Sequence, residues 1–205
     1  MLRNKFAPLW ILSIVLFALI TIMIFYGKAN NIELGSFSRD LNALSGNPFY
    51  FGAITFLCSF FWSFTVAICF FTSYLLKKSS AEANYFFIMG IFNLVLLLDD
   101  VFMIHEEVFP QYLGIPERVL YLLYAAFLGY SSIKYFSLIR KSNYGVLFPA
   151  IILLGSSAFM DILANNILMD KNFYEDVLKL FGTLLWFYYF FHTAHTVLSS
   201  KLKET

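Results

Sequence analysis

The chain reads Leu96-Leu97-Leu98-Asp99-Asp100-Val101-Phe102-Met103-Ile104-His105-Glu106-Glu107-Val108-Phe109-Pro110 where an apolar stretch of helical length meets four carboxylates and one imidazole. On a helix of ~100° per residue, the four carboxylates fall within about a 120° arc. His105 falls nearly opposite that arc. A continuous helix would therefore turn the acids toward one surface and the imidazole toward another.

The two aspartates of this stretch lie where a membrane helix would place them in hydrocarbon. A carboxylate at the centre of a bilayer costs about 2.5–3.5 kcal/mol, so Asp99 and Asp100 need a compensating partner. Two interpretations are open for them: buried acids satisfied by neighbouring helices, or a site for a metal ion, another cation or a proton. Glu106 and Glu107, about two turns further on, are typical of a solvated helix end.

The composition predicts an all-α integral membrane protein. Of 205 residues, 60% are hydrophobic and only 13% are charged, far from the average of soluble proteins. Six apolar stretches are each long enough to cross ~30 Å of hydrocarbon at 1.5 Å per residue. These predicted spans cover residues 6–26, 49–76, 85–104, 119–139, 144–164 and 177–198, and they form a single bundle over 1–205. The net charge of +1 says nothing about nucleic acid, but the sequence has no basic run interleaved with aromatic residues, so we expect no nucleic-acid partner.

The charges of the loops predict an orientation for this bundle. One side of a six-span arrangement carries the basic residues Arg3, Lys5, Lys77, Lys78, Arg140, Lys141, Lys201 and Lys203. The opposite side carries the acids Glu33, Asp40, Glu106, Glu107, Glu117, Asp170, Glu175 and Asp176. The positive-inside rule then predicts that both termini are cytoplasmic and that the acidic layer faces the periplasm, a lumen or the outside.

Further acids reach the same layer from the fifth and sixth spans. Asp161 is about 25 Å above the basic side and Asp99 about 21 Å, when each is counted along its helix. Lys179 in the sixth span is expected in this layer too, where a buried Lys–Asp pair would neutralise one acid. We predict a divalent metal site, its ion being Zn, Mn, Fe, Mg or Ca, with the ligands Asp99, Asp100, His105, Asp161 and Asp176. The predicted catalytic residues are Asp99, Asp100 and Asp161, and the secondary candidates are Glu106, Glu107, Glu175, Lys179, His192 and His195.

The last span contains two of the three histidines. His192 and His195 are three positions apart, hence on roughly one helix face, as ligation of a metal from one helix requires. They lie about 10 Å or more from the acidic layer along the helix axis. We therefore expect interfacial histidines bonded to backbone or headgroups, and no single ion shared with the acids.

Leu98-Asp99-Asp100 near the end of a span, together with the histidine pair in the last helix, resembles the alkaline ceramidase-type membrane hydrolases. That family uses a zinc ion held by histidines, with a serine and an aspartate from a Leu-Asp-Glu stretch beside it. The resemblance implies that role for Asp99 alone. This chain departs from the family in its His192-x-x-His195 spacing, where the family has His-x-x-x-His, and it lacks a second-helix histidine and a seventh span.

A different pattern in the fourth span concerns packing. Ala125 and Gly129 form a small-x-x-x-small spacing, which predicts close approach to a neighbouring helix.

The function predicted from these residues is that of a metal-dependent membrane enzyme, hydrolase-like, acting on a lipid or another hydrophobic substrate. The acids would hold a cation that activates water beside a substrate in the lipid phase. An ion- or proton-coupled transporter or channel is the alternative, and a non-catalytic subunit of a membrane complex is the third interpretation. Membrane lipids are the expected partners.

Overall fold

The computed structural model describes residues 7–39, 41–76, 80–163 and 171–203, and within these ranges it contains helices and no strands. The all-α class predicted from the sequence is confirmed for this part of the chain. The α-helices are α1 (Ala7–Ala29), α2 (Leu41–Ser45), α3 (Ala53–Leu75), α4 (Ala81–Phe102), α5 (Glu117–Lys134), α6 (Phe136–Lys141), α7 (Tyr144–Leu163) and α8 (Lys171–Lys203). A 3-10 helix (Leu34–Phe37) follows α1, and a π-helix (Ile104–Leu113) follows α4.

The chain forms two compact units, one up to Phe51 and one from Gly52 onward. In the first unit, the 3-10 helix folds back on the end of α1. A Cβ added at Gly27 would lie 2.8 Å from the Phe37 ring, so glycine is what permits this contact. The apolar side chains of α1 from Ser13 onward are mostly exposed.

In the second unit, α3, α4, α7 and α8 form the packed core. The most extensive contacts join α7 to α8, α3 to α4 and α3 to α8. The largest fully buried side chains include Phe86, Trp186, Tyr189 and Phe190. A Cβ added at Gly182 would lie 2.8 Å from Leu154, so α7 and α8 come together at a residue without a side chain.

Several polar groups of this core are paired between different parts of the chain. Trp186 Nε1 donates to Asn93 Oδ1 at 2.7 Å, linking α8 to α4. The Tyr189 hydroxyl lies 3.2 Å from the Tyr85 hydroxyl and 3.0 Å from Ser142 Oγ. Such pairing removes the free-energy penalty of buried unpaired polar groups and holds the helices in one register.

Helix α5 is less tightly attached. It makes few contacts with α7, whereas the core helices contact one another extensively. The span predicted over 119–139 is interrupted, because α5 ends at Lys134 and α6 begins at Phe136 after a break at Tyr135. This loose attachment leaves space between α5 and the core.

Three helices within the described ranges are long and apolar enough to cross a membrane, where the sequence predicts six spans. They are Ala53–Leu75, Ala81–Phe102 and Tyr144–Ile162. Ser13–Ala29 of α1 is apolar but shorter. Helix α5 is more polar than these three because it contains several tyrosines and has charged residues at its ends. Helix α8 contains His192, His195 and several charged residues.

Candidate functional site

The chain changes direction at Met103, directly after α4. Met103 has φ 48 and ψ 45, a left-handed conformation that costs a non-glycine residue roughly 1–2 kcal/mol. Its backbone N–H donates to Asp99 O and closes α4. The π-helix then runs to Leu113 and ends at Gly114, whose φ of 66° suits glycine. The span predicted over 85–104 therefore ends at Phe102, and the turn at Met103 excludes a continuous helix through His105.

This break brings His105 back onto Asp99. The His105 N–H donates to Asp99 Oδ1 at 2.8 Å, and His105 Nδ1 lies 2.9 Å from Asp99 Oδ2. Both residues are buried, with exposed fractions of 6% and 5%. The prediction that the imidazole faces away from the acids is wrong, because it assumed a continuous helix.

The electrostatics of the pair favour a charged imidazole. Burial by itself lowers the pKa of His105, but the hydrogen bonds and charges of Asp99 and Glu106 outweigh it and raise that pKa to about 10. His105 Nε2 lies 3.4 Å from Glu106 Oε1. A pKa of about 10 favours the imidazolium form of His105 at neutral pH, which suits its position against the Asp99 side chain.

The second aspartate is also paired. Lys179 of α8 donates to Asp100 Oδ1, and Ser59 of α3 donates to Asp100 Oδ2 at 3.5 Å. The Asp100 side chain is only 4% exposed. The expected Lys–Asp pair is confirmed. Asp176, one turn before Lys179, is half-buried and close enough to interact electrostatically with Lys179 and Asp100.

Asp161 has its own partner from α5. The Tyr121 hydroxyl donates to Asp161 Oδ2 at 2.8 Å. One turn further along α5, Tyr124 interacts with Asp99. Two tyrosines of α5 thus reach the acids of α7 and α4, and Tyr121 also lies beside His105, with 5.1 Å between the ring centroids.

The remaining predicted residues divide into two groups. Glu106 and Glu107 are exposed, and Glu175 is half-buried at the start of α8. His195 is exposed and His192 is half-buried against the Tyr188 ring, away from the acids. Within the described ranges, no three His, Cys, Asp or Glu side chains lie close enough together to hold a metal ion. The metal ion stays a prediction from the sequence.

A cavity of about 730 Å³ opens beside these ion pairs, between α5 and the helices α4, α7 and α8. This volume lies within the range of small-molecule sites. Most of its lining is apolar. Its acidic and basic lining residues come from the adjoining parts of α4, the π-helix, α5 and α8, and they are Asp99, Asp100, His105, Arg118, Glu175 and Lys179. Asp161 and Asp176 are not among the lining residues.

Small residues of α5 and α7 line the long walls of the cavity. They are Ala125, Gly129 and Ser132 on α5 and Gly155 and Ala158 on α7. A Cβ added at Gly129 or at Gly155 would meet nothing within 4 Å. The prediction that Ala125 and Gly129 pack closely against another helix is therefore wrong, since the space beside them is open.

Sequence reasoning missed Arg118, Tyr121 and Tyr124 as site residues. Their spacing of three puts them on one face of α5, and the same face continues through Ala125 and Leu128. One signal was present in the sequence: Arg118 is a basic residue on the side where the predicted loops are mainly acidic. The spacing of three residues between Arg118 and the two tyrosines did not distinguish a site from ordinary helix packing.

The described part of the chain is all-helical. Three of its helices are long and apolar enough to cross a membrane, and this finding is compatible with a membrane location. The chain belongs to the family described as a domain of unknown function (DUF8692), whose model matches residues 10–193. No curated protein and no solved structure matches the chain.

Proposed function

We propose that this is a multi-pass membrane protein that binds an amphiphilic molecule of the membrane in the cavity between α5 and the core helices. The observation that carries the proposal is the cavity itself, which is apolar along most of its wall and charged at one end. An amphiphile has the same division into an apolar chain and a polar head. The proposal keeps the lipid-like substrate predicted from the sequence.

The dimensions of the cavity support a chain-like occupant. Its wall on α5 extends from Arg118 to Ser132, which is about 21 Å at 1.5 Å per residue. Half of a bilayer's hydrocarbon core is about 15 Å thick. A single acyl chain with its head at the charged end fits this length, and the absence of side chains at Gly129 and Gly155 leaves room for its width.

Membrane topology belongs to the same proposal. We propose six spans with both termini in the cytoplasm, the three apolar helices being joined by α1, α5 and α8. The charged end of the cavity then lies toward the periplasm, a lumen or the outside. Its support is the distribution of basic and acidic loop residues.

Tryptophan fluorescence offers a direct test, because Trp62 and Trp186 line the cavity. In a Trp10→Phe background these two are the remaining tryptophans. We expect palmitate or hexadecanol with a brominated chain to quench them saturably in an uncharged detergent. Quenching that rises linearly with probe concentration, without saturation, would contradict binding.

Cavity-filling variants provide the matched comparison. Gly129→Phe combined with Gly155→Phe places two rings in open space and should abolish saturable quenching. Gly145→Phe is the control, since Gly145 is a helical glycine with its nearest neighbour at 3.7 Å, and it does not line the cavity. Equal loss in the control would mean that the cavity is not the binding site.

Metal-dependent hydrolysis and ion-coupled transport stay predictions from the sequence. Asp99 and Asp100 are each engaged in an ion pair, and Asp161 accepts from Tyr121. Metal analysis of the purified protein tests the first of these predictions: about one ion per chain, lost in Asp100→Asn, would support it.

A further inference from the structure

The charges at the end of the cavity are unequally matched. Asp99 is paired with His105, and Asp100 is paired with Lys179. Glu175 is likewise engaged with another residue. Arg118 differs from these, because it has no hydrogen bond or ion pair with any residue in the described ranges.

The Arg118 guanidinium is accessible to a ligand. It lies in the first turn of α5, lines the cavity and is exposed. A guanidinium presents a planar fork of N–H donors that matches a carboxylate or a phosphate, and such charge-assisted hydrogen bonds are the stronger ones. A cationic headgroup would instead have to compete with His105 or Lys179 for an aspartate that is already paired.

We propose that the cavity takes an amphiphile with one anionic headgroup, a carboxylate or a phosphate, which pairs with Arg118 while its chain lies between α5 and α7. This inference rests on the proposed function and specifies the chemistry of the ligand. Asp99 and Asp100 are each held in an ion pair and Glu175 is engaged with another residue, so among the charged lining residues in the described ranges Arg118 is the one left to pair with a headgroup.

Four probes with brominated hexadecyl chains test the headgroup in the Trp10→Phe background: palmitate, hexadecyl phosphate, hexadecanol and hexadecylamine. We expect palmitate or hexadecyl phosphate to bind most tightly, and the better of the two identifies the head as a carboxylate or a phosphate. In Arg118→Gln the affinity for that probe should fall at least about tenfold, the ordinary scale of a charge-assisted hydrogen bond. Hexadecanol binding should stay unchanged and reports that the cavity is intact.

Arg140→Gln is the matched control, because Arg140 is exposed at the end of α6 and does not line the cavity. It should leave all four affinities unchanged. Unaltered anion affinity in Arg118→Gln, or hexadecylamine binding as tight as that of palmitate, would overturn the inference while leaving amphiphile binding in place. The cavity-filled variant Gly129→Phe/Gly155→Phe serves as the baseline for all four probes. If the protein with the open cavity binds none of them more tightly than this variant does, the proposed function itself is overturned.

Discussion

His105 and Asp99 are six residues apart in the chain and are joined by two hydrogen bonds, 2.8 Å from the backbone N–H to Oδ1 and 2.9 Å between Nδ1 and Oδ2. A continuous helix would have separated them by almost two turns. The left-handed conformation of Met103 turns the chain back and makes both bonds possible. The same turn places the imidazole on the wall of the cavity.

Stability should depend on pH through His105. Its pKa rises from 6.5 to about 10 in the folded protein, so the stabilisation is complete below pH 6.5 and is lost as the pH rises toward 10. The loss is on the order of 2–5 kcal/mol. We expect the thermal unfolding midpoint of the wild type to fall over this range relative to that of His105→Gln. Parallel pH profiles of the two proteins would contradict the buried ion pair.

Met103→Gly should be neutral or stabilising. The side chain is half-exposed, so its removal sacrifices little burial, while glycine adopts the left-handed conformation without the cost of roughly 1–2 kcal/mol. Val101→Gly is the control, being similarly exposed but inside α4, where glycine should cost about 0.3 kcal/mol or more because it is a poorer helix former than valine. Chemical denaturation of both variants measures the difference. A larger loss at Met103 than at Val101 would argue against the strained turn.

Lys179→Met should destabilise the bundle by roughly 3–5 kcal/mol, because Asp100 would remain buried without its cation. Adding Asp100→Leu should restore much of that loss, since both charges are then gone. Thermal unfolding in detergent measures both effects. Lys141→Met, at an exposed position on α6, should stay within about 0.5 kcal/mol of the wild type. A double variant no more stable than Lys179→Met would argue against direct coupling.

Gly182 and Gly129 should respond oppositely to alanine. At Gly182 the new Cβ would lie 2.8 Å from Leu154, and the overpacking should cost about 1–3 kcal/mol. At Gly129 it would meet open space, and the higher helix propensity of alanine should add about 0.5–1 kcal/mol. The two unfolding midpoints should thus lie on opposite sides of the wild type. Destabilisation at Gly129 comparable to that at Gly182 would mean that α5 packs more closely than described.

Reporter fusions test the proposed topology. Fusions after Lys78 and after Lys203 should be cytoplasmic, and a fusion near Gly114 should be outside, because the basic loops are expected to stay in the cytoplasm. A reversed result for any one of the three would refute the six-span arrangement. It would leave the cavity and its ion pairs untouched, since these depend on helix packing alone.

The ends of several elements could be predicted locally, because local chemistry decides them. Ser80 accepts a hydrogen bond from the Ala83 N–H and caps α4, close to the predicted start at Tyr85. Lys179 could be matched to an aspartate from helix register alone, since buried charges require opposite charges. Which aspartate it takes was decided by how α8 packs against α3 and α4.

Tertiary structure alone decided the orientation of His105 and the role of the small residues. A left-handed turn at a methionine has no local sequence signal, because that residue type ordinarily avoids it. Ala125 and Gly129 suit a close helix contact and a cavity wall equally well, since both positions occupy little volume in either setting. The distance from α5 to its neighbours distinguishes the two, and that distance depends on contacts made elsewhere, among them the hydrogen bond between Tyr121 and Asp161.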